Sequence, residues 1–177
     1  MLLYFIISFC FAVAVVLDLC FGQSGLLTPL TAMTGFYFTV TQRWDKTVIP
    51  FAVAFTLLDL SYGRLVPLSL LLVPIVLLAG SYWREHGNTK SLVTQVLPGC
   101  VIGVFVFMAA SAYSACYSLN SGRSFDFLPF RFLIHGFVSG GCMMPLLVVS
   151  LNATMKAFGF RVYSASSSYK ERGDADE

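Results

Sequence analysis

Residues 51–70 read FAVAFTLLDLSYGRLVPLSL and place one carboxylate, Asp59, in a segment that is otherwise almost entirely apolar. The segment is long enough to enter a lipid bilayer, because a helix of about 20 residues crosses a hydrocarbon core about 30 Å thick. An ionisable side chain has a high free-energy cost in that environment and is therefore rare there. We therefore expect Asp59 to have a specific structural or functional role.

The same pattern occurs earlier in the chain. Residues 11–22 read FAVAVVLDLCFG, and residues 51–63 read FAVAFTLLDLSYG. Phe11 and Phe51 are 40 positions apart, and one inserted residue makes the separation of Asp18 and Asp59 41 positions. Each copy is followed by a Pro-Leu-Thr or Pro-Leu-Ser triplet, at 29–31 and 67–69. The repeat predicts two related helical hairpins with Asp18 and Asp59 in equivalent positions.

The composition is typical of a polytopic membrane protein. Hydrophobic residues make up 57% of the chain and charged residues 11%, and the mean hydropathy is +0.78. A soluble domain of this length needs more polar surface. The net charge of +2 is too small to indicate nucleic acid as a partner. No basic region precedes the first apolar run and no small-residue cleavage site follows it, so we expect a first helix that is retained rather than a signal peptide.

Hydropathy predicts an all-α bundle of about six transmembrane helices in residues 1–160, with membrane lipid around it. The second span is short and threonine-rich, so we expect it to be tilted, re-entrant or packed inside the bundle. Residues 161–177 are polar and lack apolar periodicity, which predicts a disordered cytoplasmic tail. The predicted spans are 2–21, 25–41, 47–62, 65–83, 93–118 and 131–155.

The distribution of basic residues predicts the orientation. Six spans place both termini on one side of the membrane, and that side collects eight basic residues against three on the other. The bias of basic residues toward the cytoplasm therefore predicts cytoplasmic termini. Asp18 and Asp59 then lie near the outer ends of spans one and three, about one helical turn inside the boundary. The eight are Arg43, Lys46, Arg84, Lys90, Lys156, Arg161, Lys170 and Arg172; the three are Arg64, Arg123 and Arg131.

Two interpretations of the paired aspartates remain open. They form a proton or substrate site, or they are structural carboxylates that cap a neighbouring helix or pair with Arg64, the nearest cation in the sequence. A carboxylate near the C-terminus of its own helix is disfavoured by the helix dipole. It is better placed accepting from the N-terminal amides of span two or four across the hairpin turn. We favour the structural interpretation, with Gly22 and Gly63 as C-terminal turn glycines.

The remaining polar residues give little indication of catalysis. An intramembrane aspartyl protease uses two aspartates, but the Gly-x-Gly-Asp signature is absent around both. His135 is a candidate proton relay or ligand, although a single histidine near Arg131 is more often an interfacial hydrogen-bonding residue. We predict no catalytic residue, no metal site and no cofactor. The cysteines have no metal-ligand spacing and are interpreted as packed small residues rather than ligands or disulfides: Cys10, Cys20, Cys100, Cys116 and Cys142.

Small residues four apart occur in spans five and six. Gly99 and Gly103 follow Pro98, and Gly136 and Gly140 precede Pro145. This spacing allows the backbones of two helices to approach closely. We therefore predict that spans five and six are in direct contact.

The segment Leu58–Leu68, followed by a leucine-rich span and a basic turn, resembles the rod shape-determining protein MreD family. That family consists of small bacterial inner-membrane proteins of five or six spans, with an Asp-Leu-x-x-Gly turn ahead of a leucine-rich helix. The resemblance implies that Asp59-x-x-x-Gly63 is the family signature, with no known chemistry to assign. We predict a structural or partner-binding motif formed by Asp18, Asp59, Gly63, Arg64 and Pro67.

The resemblance also implies a function. It is that of a non-catalytic scaffold of the cell-elongation machinery, which organises cell-wall peptidoglycan synthesis. The implied partners are MreC and, through it, MreB, RodA and a penicillin-binding transpeptidase. The family is thought to be similar to the substrate-binding subunits of energy-coupling factor transporters. That similarity supplies the alternative, in which Asp18, Asp59, Arg64 and His135 converge on a small polar ligand at the outer mouth.

Overall fold

A computed structural model describes residues 2–24, 28–64, 68–86, 92–121, 130–160 and 162. All regular structure in these ranges is helical. Pro67, the predicted loop residues Lys90 and Arg123, and the polar tail beyond residue 162 lie outside the described residues. The helices are α1 (Leu2–Gln23), α2 (Leu30–Gln42), α3 (Trp44–Ser61), α4 (Leu72–His86, preceded by a 3-10 turn at Leu68–Leu71), α5 (Leu92–Ser121) and α6 (Phe130–Ala157).

Each predicted span corresponds to one helix, but the helices differ in length. Three segments have the length and hydropathy needed to cross a membrane: Leu2–Gln23, Val96–Leu119 and Leu133–Ala157. By contrast, α2 has 13 residues and α4 has 15, which is shorter than the 17–25 residues usual for a spanning helix. The helical class and the three long apolar helices are therefore established.

Helix α2 lies inside the bundle, as one of the three sequence-based alternatives predicted. Every residue from Leu30 to Gln42 except Val40 is buried. Two of its four threonines are satisfied within the helix, because Thr39 and Thr41 donate hydrogen bonds to the carbonyl oxygens of Gly35 and Tyr37 one turn earlier, at 2.7 and 2.9 Å. Helices α1, α3, α4, α5 and α6 all pack against it.

Aromatic rings fill the space between α1, α2 and α3. The centre of the Phe11 ring lies 5.9 Å from that of Phe38 and 5.4 Å from that of Phe51. Gly35 on α2 makes room for Phe51, whose ring would overlap a Cβ atom at that position. Phe11 and Phe51 are the first residues of the two repeats, so the repeated segments meet each other face to face.

Helices α5 and α6 form the most extensive helix pair, which confirms the predicted contact. A Cβ atom added to Gly99 or Gly103 would overlap the main-chain carbonyl of Gly140 or Gly136, respectively. The backbones are therefore as close as glycine permits. In a lipid environment, where apolar burial contributes little to helix association, close van der Waals packing of this kind is a main attractive force.

The helix pairings define two ends of the bundle. Gly80 of α4 packs against Thr39 of α2, and the Tyr37 hydroxyl donates a hydrogen bond to Asn152 Oδ1 of α6, at 2.7 Å. The C-terminal ends of α2, α4 and α6 consequently lie together, next to Arg43, and we call this the Arg43 end. The opposite end carries Asp18 and Asp59 and is called the aspartate end.

Candidate functional site

Asp18 caps the N-terminus of α2. It lies on the last turns of α1 and is 5% exposed. Its Oδ1 accepts hydrogen bonds from the Thr28 hydroxyl and the Leu30 amide, both at 3.0 Å, and its Oδ2 accepts from the Thr31 amide at 2.8 Å. These bonds satisfy two of the amides that have no partner within α2 and place negative charge at its positive end.

Asp59 occupies the corresponding position in the second hairpin and is 1% exposed. Its Oδ2 accepts from the Ser69 amide at 3.0 Å, and its Oδ1 accepts from the Ser69 hydroxyl at 2.7 Å. Ser69 lies in the 3-10 turn that leads into α4. Its hydrogen bonds agree with the prediction that each aspartate accepts from amides across the hairpin turn.

The two hairpins share one hydrogen bond and differ in the rest. In both, the third residue of the Pro-Leu-Thr/Ser triplet donates its amide to Oδ2 of the aspartate, although Thr31 follows Asp18 by 13 residues and Ser69 follows Asp59 by 10. The hydroxyl donor is Thr28 in the first hairpin and Ser69 itself in the second. The repeat therefore preserves the cap while the connecting segment varies in length.

Gly63 ends α3 in a Schellman turn, as predicted for a C-terminal turn glycine. Its φ angle is +66°, in the region that favours glycine. The Arg64 amide donates to the Asp59 carbonyl and the Gly63 amide to the Leu60 carbonyl, each at 2.9 Å, which is the bond pattern of this motif. The turn brings Arg64 back over Asp59.

Arg64 joins the second hairpin to α5. Its Nη1 lies 3.0 Å from Asp59 Oδ1, so the ion pair that was one form of the structural interpretation occurs beside the cap, and the Arg64 side chain is 21% exposed. The guanidinium carbon lies 5.1 Å from the centre of the Tyr62 ring and 4.8 Å from that of Tyr113 on α5. Within the part of the chain that the structure describes, Asp18 has no such cationic partner.

Gly22 does not end α1, so that prediction is wrong. The helix continues to Gln23, and Gly22 instead leaves space for the Tyr62 side chain, whose hydroxyl would overlap a Cβ atom there. From this position the Tyr62 hydroxyl donates a hydrogen bond to the main-chain carbonyl of Asp18 at 3.1 Å. One tyrosine thus connects the ends of α1 and α3.

Two other candidates do not join the aspartates. His135 lies on α6 with an exposed side chain, and no contact between it and Asp18, Asp59 or Arg64 occurs among the described residues. All five cysteines are free, but only Cys100 is buried, so the prediction that they are packed small residues is wrong for Cys20, Cys116 and Cys142, which are exposed. In the described ranges, no group of histidine, cysteine and acidic side chains has the arrangement of a metal site.

Sequence reasoning missed Thr28, Tyr62 and Tyr113 as parts of the site. No local sequence pattern identifies the hydroxyl of Thr28 or the ring of Tyr113 as part of the site, because their partners are 10 and 49 residues away in the chain. For Tyr62 the repeat contains a weak indication, since Tyr62 occupies the position of Phe21 and differs from it by the hydroxyl that binds the Asp18 carbonyl.

The geometry defines a set of helix ends that are capped and cross-linked by side chains of the protein. Both carboxylates direct their oxygen atoms at amides and hydroxyls of the protein, and Arg64, the cation that pairs with Asp59 among the described residues, is also stacked on Tyr113. A scan against protein-family models, a search of curated proteins and a search of solved structures found no match to the chain.

Proposed function

We propose that the chain is a non-catalytic scaffold of the bacterial inner membrane, related in role to MreD. In this proposal all six helices lie within or across the membrane, with both termini and the Arg43 end in the cytoplasm. The protein holds MreC and, through it, MreB, RodA and a transpeptidase in one cell-elongation complex. The resemblance of Leu58–Leu68 to the MreD family is the basis for naming these partners.

The observation that carries the proposal is the use of both buried carboxylates as helix caps. A transport or catalytic site needs polar side chains that a substrate can reach. Here the oxygen atoms of Asp18 and Asp59 accept five hydrogen bonds from protein amides and hydroxyls, and Asp59 also pairs with Arg64. The aspartate end is therefore suited to hold a fixed shape for docking.

The exposed surface is compatible with membrane partners. Long apolar side chains on α1 and α6 are more than half exposed, including Phe5, Phe9, Leu146 and Val149. Such surfaces contact acyl chains or the helices of another membrane protein. The basic residues at the Arg43 end support a cytoplasmic location for that end.

Co-purification provides the test. The chain would be co-expressed with the MreC protein of the same genome and captured from mild detergent, with an unrelated single-span protein as control. We expect MreC to be retained and the control to be lost. Neighbouring genes for an actin-like protein and a coiled-coil membrane protein would add support.

The transporter alternative makes a different prediction. Its substrate would lie between Asp18, Asp59, Arg64 and His135, yet the first two are buried and capped while His135 is exposed on α6. A small molecule that co-purifies with the chain and is lost in Asp59→Asn, together with absence of MreC binding, would replace the scaffold proposal with this one.

A further inference from the structure

Arg43 has a backbone conformation that is unusual for arginine. It is the single residue between α2 and α3, and its φ and ψ angles are 75° and 154°. Within the described residues it is the only non-glycine residue with a positive φ. This region of φ and ψ is occupied almost entirely by glycine, and other residues there are strained. Glycine would therefore make the same corner with less strain.

The Arg43 side chain does little for the fold to offset this strain. Its side chain is 66% exposed, and its Nε lies 3.9 Å from an Asp45 oxygen in a pair that is itself half-exposed. An exposed ion pair with this separation contributes little stability. The described part of the chain therefore gives no structural reason for an arginine at this corner.

The exposed residues next to Arg43 indicate the environment of its side chain. Trp44 is 55% exposed directly beside it, and Ile49, one to two turns along α3, is 68% exposed. An exposed tryptophan between a charged corner and an apolar helix surface is the arrangement found where a helix passes through the lipid headgroup region. The guanidinium then lies at the depth of the lipid phosphates.

The other helix termini at this end carry further basic residues that are exposed or partly exposed. Arg84 lies in the last turn of α4, Lys156 lies in the last turn of α6, and Lys46 is partly exposed in the first turn of α3. Two exposed acids, Asp45 and Glu85, share this end, so the described arginines and lysines outnumber the acids by four to two. We call Arg43, Trp44, Lys46, Arg84 and Lys156 the Arg43 surface.

We propose that the Arg43 surface binds the phosphate headgroups of anionic phospholipids. Arg43 contacts the phosphate with its planar guanidinium, and the Trp44 ring packs beside the glycerol and upper acyl chain. The neighbouring basic residues raise the local concentration of anionic lipid. This binding does not depend on the scaffold role and applies equally to a transport subunit.

Quenching of Trp44 fluorescence tests this directly. The chain contains two tryptophans, so Trp83→Phe leaves Trp44 as the only tryptophan reporter. This variant would be placed in phosphatidylcholine vesicles with increasing fractions of spin-labelled phosphatidylglycerol or, separately, spin-labelled phosphatidylcholine. We expect the anionic quencher to act at a lower mole fraction than the neutral one, and 0.5 M salt to reduce the difference.

Three variants in the same Trp83→Phe background test whether the Arg43 surface causes the preference for phosphatidylglycerol. Arg43→Gly should weaken the preference for phosphatidylglycerol about fivefold, the effect of one basic residue near a membrane surface. Arg43→Lys keeps the charge and should retain most of it. Glu85→Gln, the matched control, removes an acid from the same end and should strengthen the preference.

A second measurement separates lipid binding from folding. In neutral detergent, Arg43→Gly should unfold at the same or a higher temperature than the parent, because the strained corner is relieved. Added phosphatidylglycerol should raise the unfolding temperature of the parent more than that of Arg43→Gly. Equal quenching of Trp44 by both lipids, no effect of Arg43→Gly on the preference, or protection by inorganic phosphate but not by phosphatidylglycerol would overturn the proposal.

Discussion

The hydroxyl of Tyr62 donates a hydrogen bond to the main-chain carbonyl of Asp18, 3.1 Å away, and so joins two helix ends that are 44 residues apart in the chain. The two residues belong to different copies of the repeat, and each copy contributes an aspartate that caps the next helix. The aspartate end is therefore one connected unit of four helix termini: the ends of α1 and α3 and the beginnings of α2 and α4.

Substitution of Asp59 should distinguish hydrogen bonding from charge. Asp59→Asn retains one carbonyl oxygen to accept from Ser69, whereas Asp59→Leu leaves the Ser69 amide and the Arg64 guanidinium without their partner. We expect Asp59→Leu to destabilise the protein by about 3 kcal/mol or more, and Asp59→Asn by about 1–2 kcal/mol. Thermal unfolding in detergent measures both values. Equal and complete loss of function at normal protein levels would instead point to a role for the charge.

Asp18 should tolerate asparagine better than Asp59 does. Its partners among the described residues are the Thr28 hydroxyl and two amides, so Asp18→Asn leaves no cation of the described chain unpaired. We expect Asp18→Asn to cost about 1 kcal/mol and Asp18→Leu about 2–4 kcal/mol, because leucine orphans two buried amides. The unfolding temperatures of the four aspartate variants, measured under the same conditions, give the order of their destabilising effects. A larger effect for Asp18→Asn than for Asp59→Asn would contradict the capping account.

Tyr62 and Gly22 should be energetically coupled. Tyr62→Phe removes one hydrogen bond and should cost about 1 kcal/mol. Gly22→Ala introduces a methyl group where the Tyr62 hydroxyl lies, and it should be more harmful. Because phenylalanine lacks that hydroxyl, Gly22→Ala should cost less in the Tyr62→Phe background than in the parent. A double-mutant cycle measures this difference, and additive effects would show that the two residues are not in contact.

Neighbouring glycines on α6 provide a matched pair for the packing of α5 against α6. A methyl group at Gly140 meets the main-chain carbonyl of Gly99, whereas one at Gly141 meets the side-chain atoms of Cys100 and Val96. Backbone yields less easily than a side chain, so Gly140→Ala should lower the unfolding temperature more than Gly141→Ala. Gly136→Leu and Gly140→Leu should disrupt the bundle altogether. Normal detergent stability of both leucine variants would refute the close pairing.

Gly63→Ala should weaken the ion pair without touching either charged side chain. An alanine at φ +66° costs about 1–2 kcal/mol. If the turn opens to relieve this strain, Arg64 moves away from Asp59 and from Tyr113. We therefore expect Gly63→Ala and Asp59→Asn to be less than additive when combined. Strict additivity would indicate that the turn and the ion pair are independent.

Much of the aspartate end was predictable because its signals are local or repeated. The duplicated segments revealed equivalent aspartates, the opposing helix dipole argued for caps across the turn, and Gly63 and Arg64 lie within five residues of Asp59. The small-residue spacing likewise predicted the contact between α5 and α6, since it depends on backbone approach along a single face.

The remainder depends on distances through space that local patterns do not encode. Gly22 looked like Gly63 in the repeat, but a tyrosine from the other hairpin occupies the space above it, and the helix continues. The stacking of Arg64 on Tyr113 requires knowing that α5 passes the second hairpin. Exposed cysteines on apolar helices were misjudged because membrane helices place apolar residues on their outer surfaces as well as in their interior.

The covering of α2 on all sides has a consequence for how the protein is made. At 1.5 Å per residue its 13 residues extend only about 20 Å, which is less than the roughly 30 Å of a hydrocarbon core. The ribosome delivers α2 before α3, α4 and α6 exist to enclose it. The contacts that bury α2 can therefore be completed only after those later helices have been synthesised, and we expect α2 to take up its final position late in biogenesis.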